Sequence, residues 1–206
     1  MSAEGRDSVD ESRIKLIIIG DSGVGKTNLM NAYDSIAFNP DYTPTYYMDK
    51  ITVNYRFEDN DYKIIITDFP HRFKNGISAY LRSARIIVLI FDMTKKDSFL
   101  CLSEYLDIIY ETVGKNANLI LVGNKSDLSD KWKIKEKDAK KFAEAINAKF
   151  FLSSAKDGRS EFIQFLNKCV EDFIRNLDGQ FRPNQPIPNN LINDNMRRRE
   201  RVTCWI

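Results

Sequence analysis

The chain has 206 residues, 43% of them hydrophobic and 29% charged, with 31 Lys and Arg against 29 Asp and Glu for a formal net charge of +2. That length suits one domain whose core needs no staples, and the near balance of charge excludes a general polyanion binder, so no nucleic-acid partner is expected. Three scattered cysteines, Cys101, Cys169 and Cys204, make neither a disulfide framework nor a metal cluster and fit a reducing compartment such as the cytoplasm.

The opening MSAEGRDSVDES is polar throughout, so residues 1–12 read as a disordered arm without a secretory signal. RIKLIII (Arg13 to Ile19) is a buried strand, followed by a helix opening near Lys26. ITVNYRF and YKIIIT flank EDND, which predicts a hairpin. RIIVLIFD, NLILVGNK and KFFLSS are three more short apolar strands. Helices fit between them at about Asp97 to Val113, Lys135 to Ile146 and Ser160 to Asn176, each with an apolar stripe at spacings of three and four. No apolar run is long enough to span a bilayer. Strand and helix alternation of this kind implies a mainly parallel sheet covered on both faces, with ligands beyond the carboxyl ends of the strands.

GDSGVGKT (Gly20 to Thr27) leaves the first strand and opens the first helix, matching G-x-x-x-x-G-K-[ST] in full. Backbone N–H groups from Asp21, Ser22, Gly23, Val24 and Gly25 can turn inward around phosphate oxygens, with Asn28 just behind them in the helix. Lys26 would reach the β and γ phosphates, and the Thr27 hydroxyl would take a Mg²⁺ position. Kinases and ATPases share such a loop, so the base must be read elsewhere. NKSD (Asn124 to Asp127) ends the fifth strand and SSAK (Ser153 to Lys156) the sixth. The Asp127 carboxylate, acceptor-only, can take both the N1–H and N2–H₂ of guanine, an edge adenine lacks. Asn124 can bridge neighbouring loops, the Lys125 stem can lie along the base, and the Ala155 N–H, between Ser154 and Lys156, can donate to guanine O6.

GDSGVGKT, a Thr in the loop after the first helix, a strand ending in Asp68, NKSD and SAK together resemble the Ras superfamily of small GTP-binding proteins, most closely its Rab branch, from about Arg13 to Asn176. The resemblance implies a P-loop NTPase fold of the α/β class, with a six-stranded, mainly parallel sheet, one antiparallel edge strand and about five helices on both faces, filling residues 13–176. It implies bound GTP or GDP with Mg²⁺ held by Thr27, Thr45 and, through water, Asp68. It further implies an aromatic, Phe38, edge-on against the base, Tyr42 at the nucleotide, and catalytic roles for Lys26 and Thr45. Effectors, an exchange factor and a GTPase-activating protein would meet a monomer through its two switch loops. Rab-like proteins usually carry Gly two residues after the Thr; here that residue is Tyr47.

The second switch departs further. Family members continue Asp-x-x-Gly-Gln, whereas Asp68 runs into Phe69, Pro70, His71, Arg72 and Phe73. Pro70 has no N–H, and no Gln is present to orient a water, so weak GTP hydrolysis is expected, with a non-hydrolysing nucleotide scaffold as the alternative. His71 could orient a water and Arg72 could stabilise transition-state charge, or both could simply be solvated. Residues 177–206 read as a flexible tail ending NMRRRERVTCWI. Its arginines beside Cys204 suit a lipid anchor on the cytosolic face of an endomembrane, although Cys204 misses C-a-a-X by one position.

Overall fold

The computed structural model describes residues 12–33, 36–41 and 45–180. The N-terminal arm before Ser12, Tyr42, and the tail from Phe181 onward with Cys204 lie outside the described residues.

Six strands, β1 (Arg13–Gly20), β2 (Asp49–Phe57), β3 (Asn60–Asp68), β4 (Ile86–Asp92), β5 (Leu119–Asn124) and β6 (Lys149–Leu152), form one sheet in the order β2-β3-β1-β4-β5-β6. β2 pairs antiparallel with β3; the other neighbours are parallel. The pairing of Phe57 with Asn60 narrows the predicted EDND turn to Glu58 and Asp59, with Glu58 in the left-handed region at φ 53°.

The continuous apolar runs are explained by burial on both faces. Ile86, Val88 and Ile90 of β4 enter one core, and Ile87, Leu89 and Phe91 the other. The first core is covered by α1 (Lys26–Met30) and by Phe162, Leu166, Val170 and Ile174. Those four belong to the last helix, Arg159–Gln180. The second is covered by helices Ser78–Leu81, Leu102–Val113 and Glu136–Ala145. At about 1.5–3 kcal/mol per fully buried aliphatic side chain, the alternation specifies the register, because a one-residue slip would exchange the two faces.

Three local differences from the sequence reading stand out. The stretch expected as one helix from Asp97 is α3 (Lys96–Leu100) followed, after Cys101, by α4 (Leu102–Val113), with α2 being Ser78–Leu81. Ser98 Oγ donates to Lys95 O, Cys101 Sγ to Ser98 O and Ser103 Oγ to Leu100 O, so side chains compete for carbonyls that a regular helix would use. α2 and a 3₁₀ turn at His71–Gly76 are short elements whose few residues show no period. Last, α5 (Glu136–Ala145) lies close to its expected span, but α6 (Arg159–Gln180) continues past Asn176 into the expected tail.

The register levels the carboxyl ends of the strands. Ile18 pairs with Asp68, Gly20 with Ile90, Asp92 with Asn124, and Gly123 with Leu152. Loops carrying every motif thus leave the sheet along one edge.

Candidate nucleotide site

Along that edge lies a cleft of about 380 Å³. Its walls are Ser22, Gly23, Gly25, Lys26, Thr27 and Asn28 from the phosphate loop and α1, then Phe38 and Thr45 from the following loop. Pro70 and His71 close one end, and Asn124, Lys125, Asp127, Ala155 and Lys156 the other. The volume falls within the ~300–1,000 Å³ of small-molecule sites.

Gly20, Gly23 and Gly25 of the phosphate loop all have positive φ, and at two of them a side chain would also clash. Gly20 has φ +153°, and a Cβ there would lie 2.1 Å from Ile90 O. Gly25 has φ +97°, and a Cβ would lie 2.3 Å from Asn124 Nδ2. A side chain at either would drive apart the parts the loop joins. Lys26 is buried and donates from Nζ to Gly20 O at 3.1 Å and Asp21 O at 2.8 Å, which arches it over the loop. Burial lowers its pKa, partly offset by Asp68 and Asp21.

At the other wall of this end, Thr27 Oγ1 donates to Asp68 Oδ2 and lies 2.9 Å from Thr45 Oγ1. Asp68 is fully buried, and its pKa is raised, first by desolvation, against the pull of Thr27 and Lys26. Its Oδ1 has no hydrogen-bond partner. Two hydroxyls and a carboxylate with one unsatisfied oxygen form a hard, all-oxygen donor set that fits Mg²⁺, an ion held by few protein ligands beside waters and phosphates. Bound there, the ion would neutralise phosphate charge. No group of three His, Cys, Asp or Glu suited to a metal occurs among the described residues.

The base end is braced by Asn124, which is 1% exposed. Its Nδ2 donates to Val24 O at 2.7 Å, and its Oδ1 accepts from Ala155 N at 3.1 Å. The predicted bridge between loops is thus present, but the Ala155 N–H expected to face a base oxygen is directed at Asn124. Ser154 is a brace as well: its Oγ donates to Asp127 Oδ1 at 2.7 Å and accepts from Lys156 N and Asp157 N at 3.2 and 3.0 Å. Asp127 is therefore aimed before any ligand arrives. Lys125, at φ 64°, carries its ammonium 2.7 Å from Asp92 Oδ2, which stretches its stem across the cleft wall. Phe38 packs against the first core while lining the cleft.

Of the second-switch residues, Phe69 is 1% exposed and continues the sheet through Phe69 N to Ile18 O at 3.0 Å. Pro70 and His71 line the cleft; Arg72 does not. Its guanidinium donates to Tyr46 O and lies over the rings of Tyr46 at 5.1 Å and Phe73 at 4.6 Å. Those contacts occupy the guanidinium expected to stabilise transition-state charge, and it is not part of the cleft wall. Asn39, which belongs to no recognised motif, lines the cleft and exchanges bonds with Asn28, Asn28 Nδ2 to Asn39 O at 3.0 Å and Asn39 N to Asn28 Oδ1 at 3.3 Å. Two adjacent Asn-containing segments offered the only signal for it.

A phosphate loop, a hydroxyl–carboxylate triad and a braced acceptor for a base thus share one cleft. The Ras family model matches residues 15–174. The chain belongs to the Ras family. A GTP-binding protein ypt1 of Schizosaccharomyces pombe is 35% identical over 154 residues, covering 74% of this chain and 76% of its own length. The Ras-related protein Rab-12 of mouse is 36% identical over 168 residues, covering 80% of this chain and 69% of its own, and human Rab-12 is 36% identical over the same length. Within the Ras family this is therefore a Rab-like member, and the P-loop NTPase sheet expected of it is the one observed. No helix among the described residues is long and apolar enough to cross a membrane.

Proposed function

We propose that this Ras-family chain is a Rab-like GTP/GDP switch of vesicle trafficking that hydrolyses GTP slowly, recruiting effectors through its switch loops at a cytosolic endomembrane face. The observation carrying the switch is the convergence of Thr45 and Asp68 on the Thr27 hydroxyl. A loop whose hydroxyl joins the metal site, and whose N–H can reach a γ-phosphate, closes on triphosphate and is released by diphosphate. Asp127, aimed by Ser154, supports guanine selection. Exposed Tyr46, Tyr47, Met48 and Phe73 offer the apolar rim an effector would cover. The names of its relatives, a GTP-binding protein and Ras-related Rab proteins, agree with this reading.

Slow turnover follows from Pro70 at the cleft wall, where a backbone N–H is missing, and from the lack of a Gln after Asp68 to orient water. The same Pro70 favours a second reading, a scaffold that holds guanine nucleotide without hydrolysing it. Titration with GTP, GDP and ATP at fixed Mg²⁺, followed by a single-turnover phosphate-release course, tests both. GTP bound far more tightly than ATP, with slow release, is expected. Equal ATP affinity overturns the switch, rapid unaided release overturns the account of Pro70, and a flat course leaves the scaffold.

A further inference from the structure

The second-switch histidine is not a loose surface group. His71 Nδ1 lies 2.9 Å from Tyr105 Oη, and Tyr105 Oη lies 3.1 Å from Gly20 O. A phenol has one proton, and a carbonyl has none to offer, so Tyr105 donates to Gly20 O and accepts from His71. That order assigns the proton of the neutral imidazole to Nδ1 and leaves the Nε2 lone pair for a ligand. Tyr105 is 1% exposed and its hydroxyl is fixed by main chain, so the support is rigid. His71 itself is 38% exposed and lines the cleft. Asp21 Oδ1 stands 3.7 Å from Nδ1, while Asp21 O accepts from Lys26 Nζ, the group that marks the γ-phosphate end.

Other contacts hold the segment in place. Phe69 is buried against Tyr80, ring centroids 5.3 Å apart, and Lys74 Nζ pairs with Glu104 while lying 4.8 Å over the Tyr105 ring. His71 is thereby presented from a turn anchored on both sides, with Tyr105 behind it.

Resting on the GTP-switch reading above, we propose that His71 is a catalytic residue of the remaining hydrolysis, taking the attacking water on Nε2, and that Tyr105 is its positioning residue. The water oxygen bonds to the γ-phosphorus as the bond from that phosphorus to the bridging oxygen breaks, and GDP leaves with the electron pair. The water's proton passes to Nε2 and then to solvent with release of inorganic phosphate. Asp21 faces the imidazolium formed meanwhile. Lys26 and Lys74, also nearby, oppose that charge, Glu104 lies beyond Lys74, and Cys101 faces Tyr105. The route is weaker than one with an added backbone donor, which keeps it compatible with slow turnover.

The test follows phosphate release in a single turnover of full-length protein loaded with GTP and Mg²⁺. His71→Ala is expected to slow it by about tenfold or more, within the range a general base contributes, with GTP affinity unchanged. Free imidazole added to that variant, but not to wild type, should restore part of the rate, and His71→Gln should retain more rate than His71→Ala because its amide oxygen can still hold a water. Tyr105→Phe should lower the rate while leaving GTP affinity and the circular dichroism spectrum intact. Identical rates in wild type and His71→Ala overturn the proposal, as does a loss of GTP affinity parallel to the loss of rate. Bound GTP that is never hydrolysed by wild type overturns it too while sparing the nucleotide site. Failure of wild type to bind GTP instead sinks the switch reading itself.

Discussion

Asn124→Ala tests the idea that one buried amide joins the phosphate and base halves of the cleft. The substitution removes the bond to Val24 O at 2.7 Å and the bond from Ala155 N at 3.1 Å, both buried. Each leaves a backbone group without its partner, at about 1–3 kcal/mol. Because the cleft is open to water nearby, the lower half of the sum applies, about 2–4 kcal/mol. For a domain of this size each kcal/mol moves the melting midpoint by about 2–4 °C, so scanning calorimetry without nucleotide should show a fall of about 4–16 °C. Asn124→Asp should do no better. It keeps an acceptor for Ala155 N but sets a second carboxylate oxygen against Val24 O. Nucleotide adds its own stabilisation by mass action, so the comparison belongs in the nucleotide-free protein. A fall of less than about 2 °C for Asn124→Ala would refute the bridge.

Two further outcomes are expected. Asp127→Ala should weaken GTP binding by about 10²-fold, the equivalent of two charge-assisted bonds at the low end of their range, without changing ATP affinity; a calorimetric titration giving equal GTP affinity removes Asp127 from base selection. Tyr55, hydrogen-bonded to Glu171, has its pKa raised from 10.0 to about 12, first by burial and then by Glu171. The folded state holds that proton more tightly, so its contribution is full below pH 10 and lost between 10 and about 12. Tyr55→Phe should flatten the alkaline decline in denaturant midpoint over that window, and an unchanged decline would show that the pair does not govern it.

Much of this molecule could be read from its amino acids because its signals are local. The Ile and Val runs of β4 and β5 give strands by composition alone, and GDSGVGKT and NKSD announce their chemistry through residues a few positions apart. What escaped is what depends on distant partners. Tyr105 was legible only as an apolar stripe residue of α4, yet its hydroxyl reaches Gly20 and His71, which lie 85 and 34 positions away. Ser154 looked like a nucleotide contact but braces Asp127, 27 positions earlier. Arg72 carries a charge suited to phosphate, and only the placement of Tyr46 and Phe73 shows where it goes. The helix break at Cys101 arises from side chains bonding to carbonyls three residues back, a competition that leaves the apolar stripe intact.

The carbonyl of Gly20 serves two masters. It receives both Lys26 Nζ and the Tyr105 hydroxyl, at the residue of β1 that pairs with Ile90 of β4 and leaves no room there for a Cβ. Any methyl group introduced at position 20 would force those strands apart and drag the shared oxygen with them. An architectural lesion and a kinetic lesion would then arrive as one phenotype, and no assay of turnover alone could tell which came first.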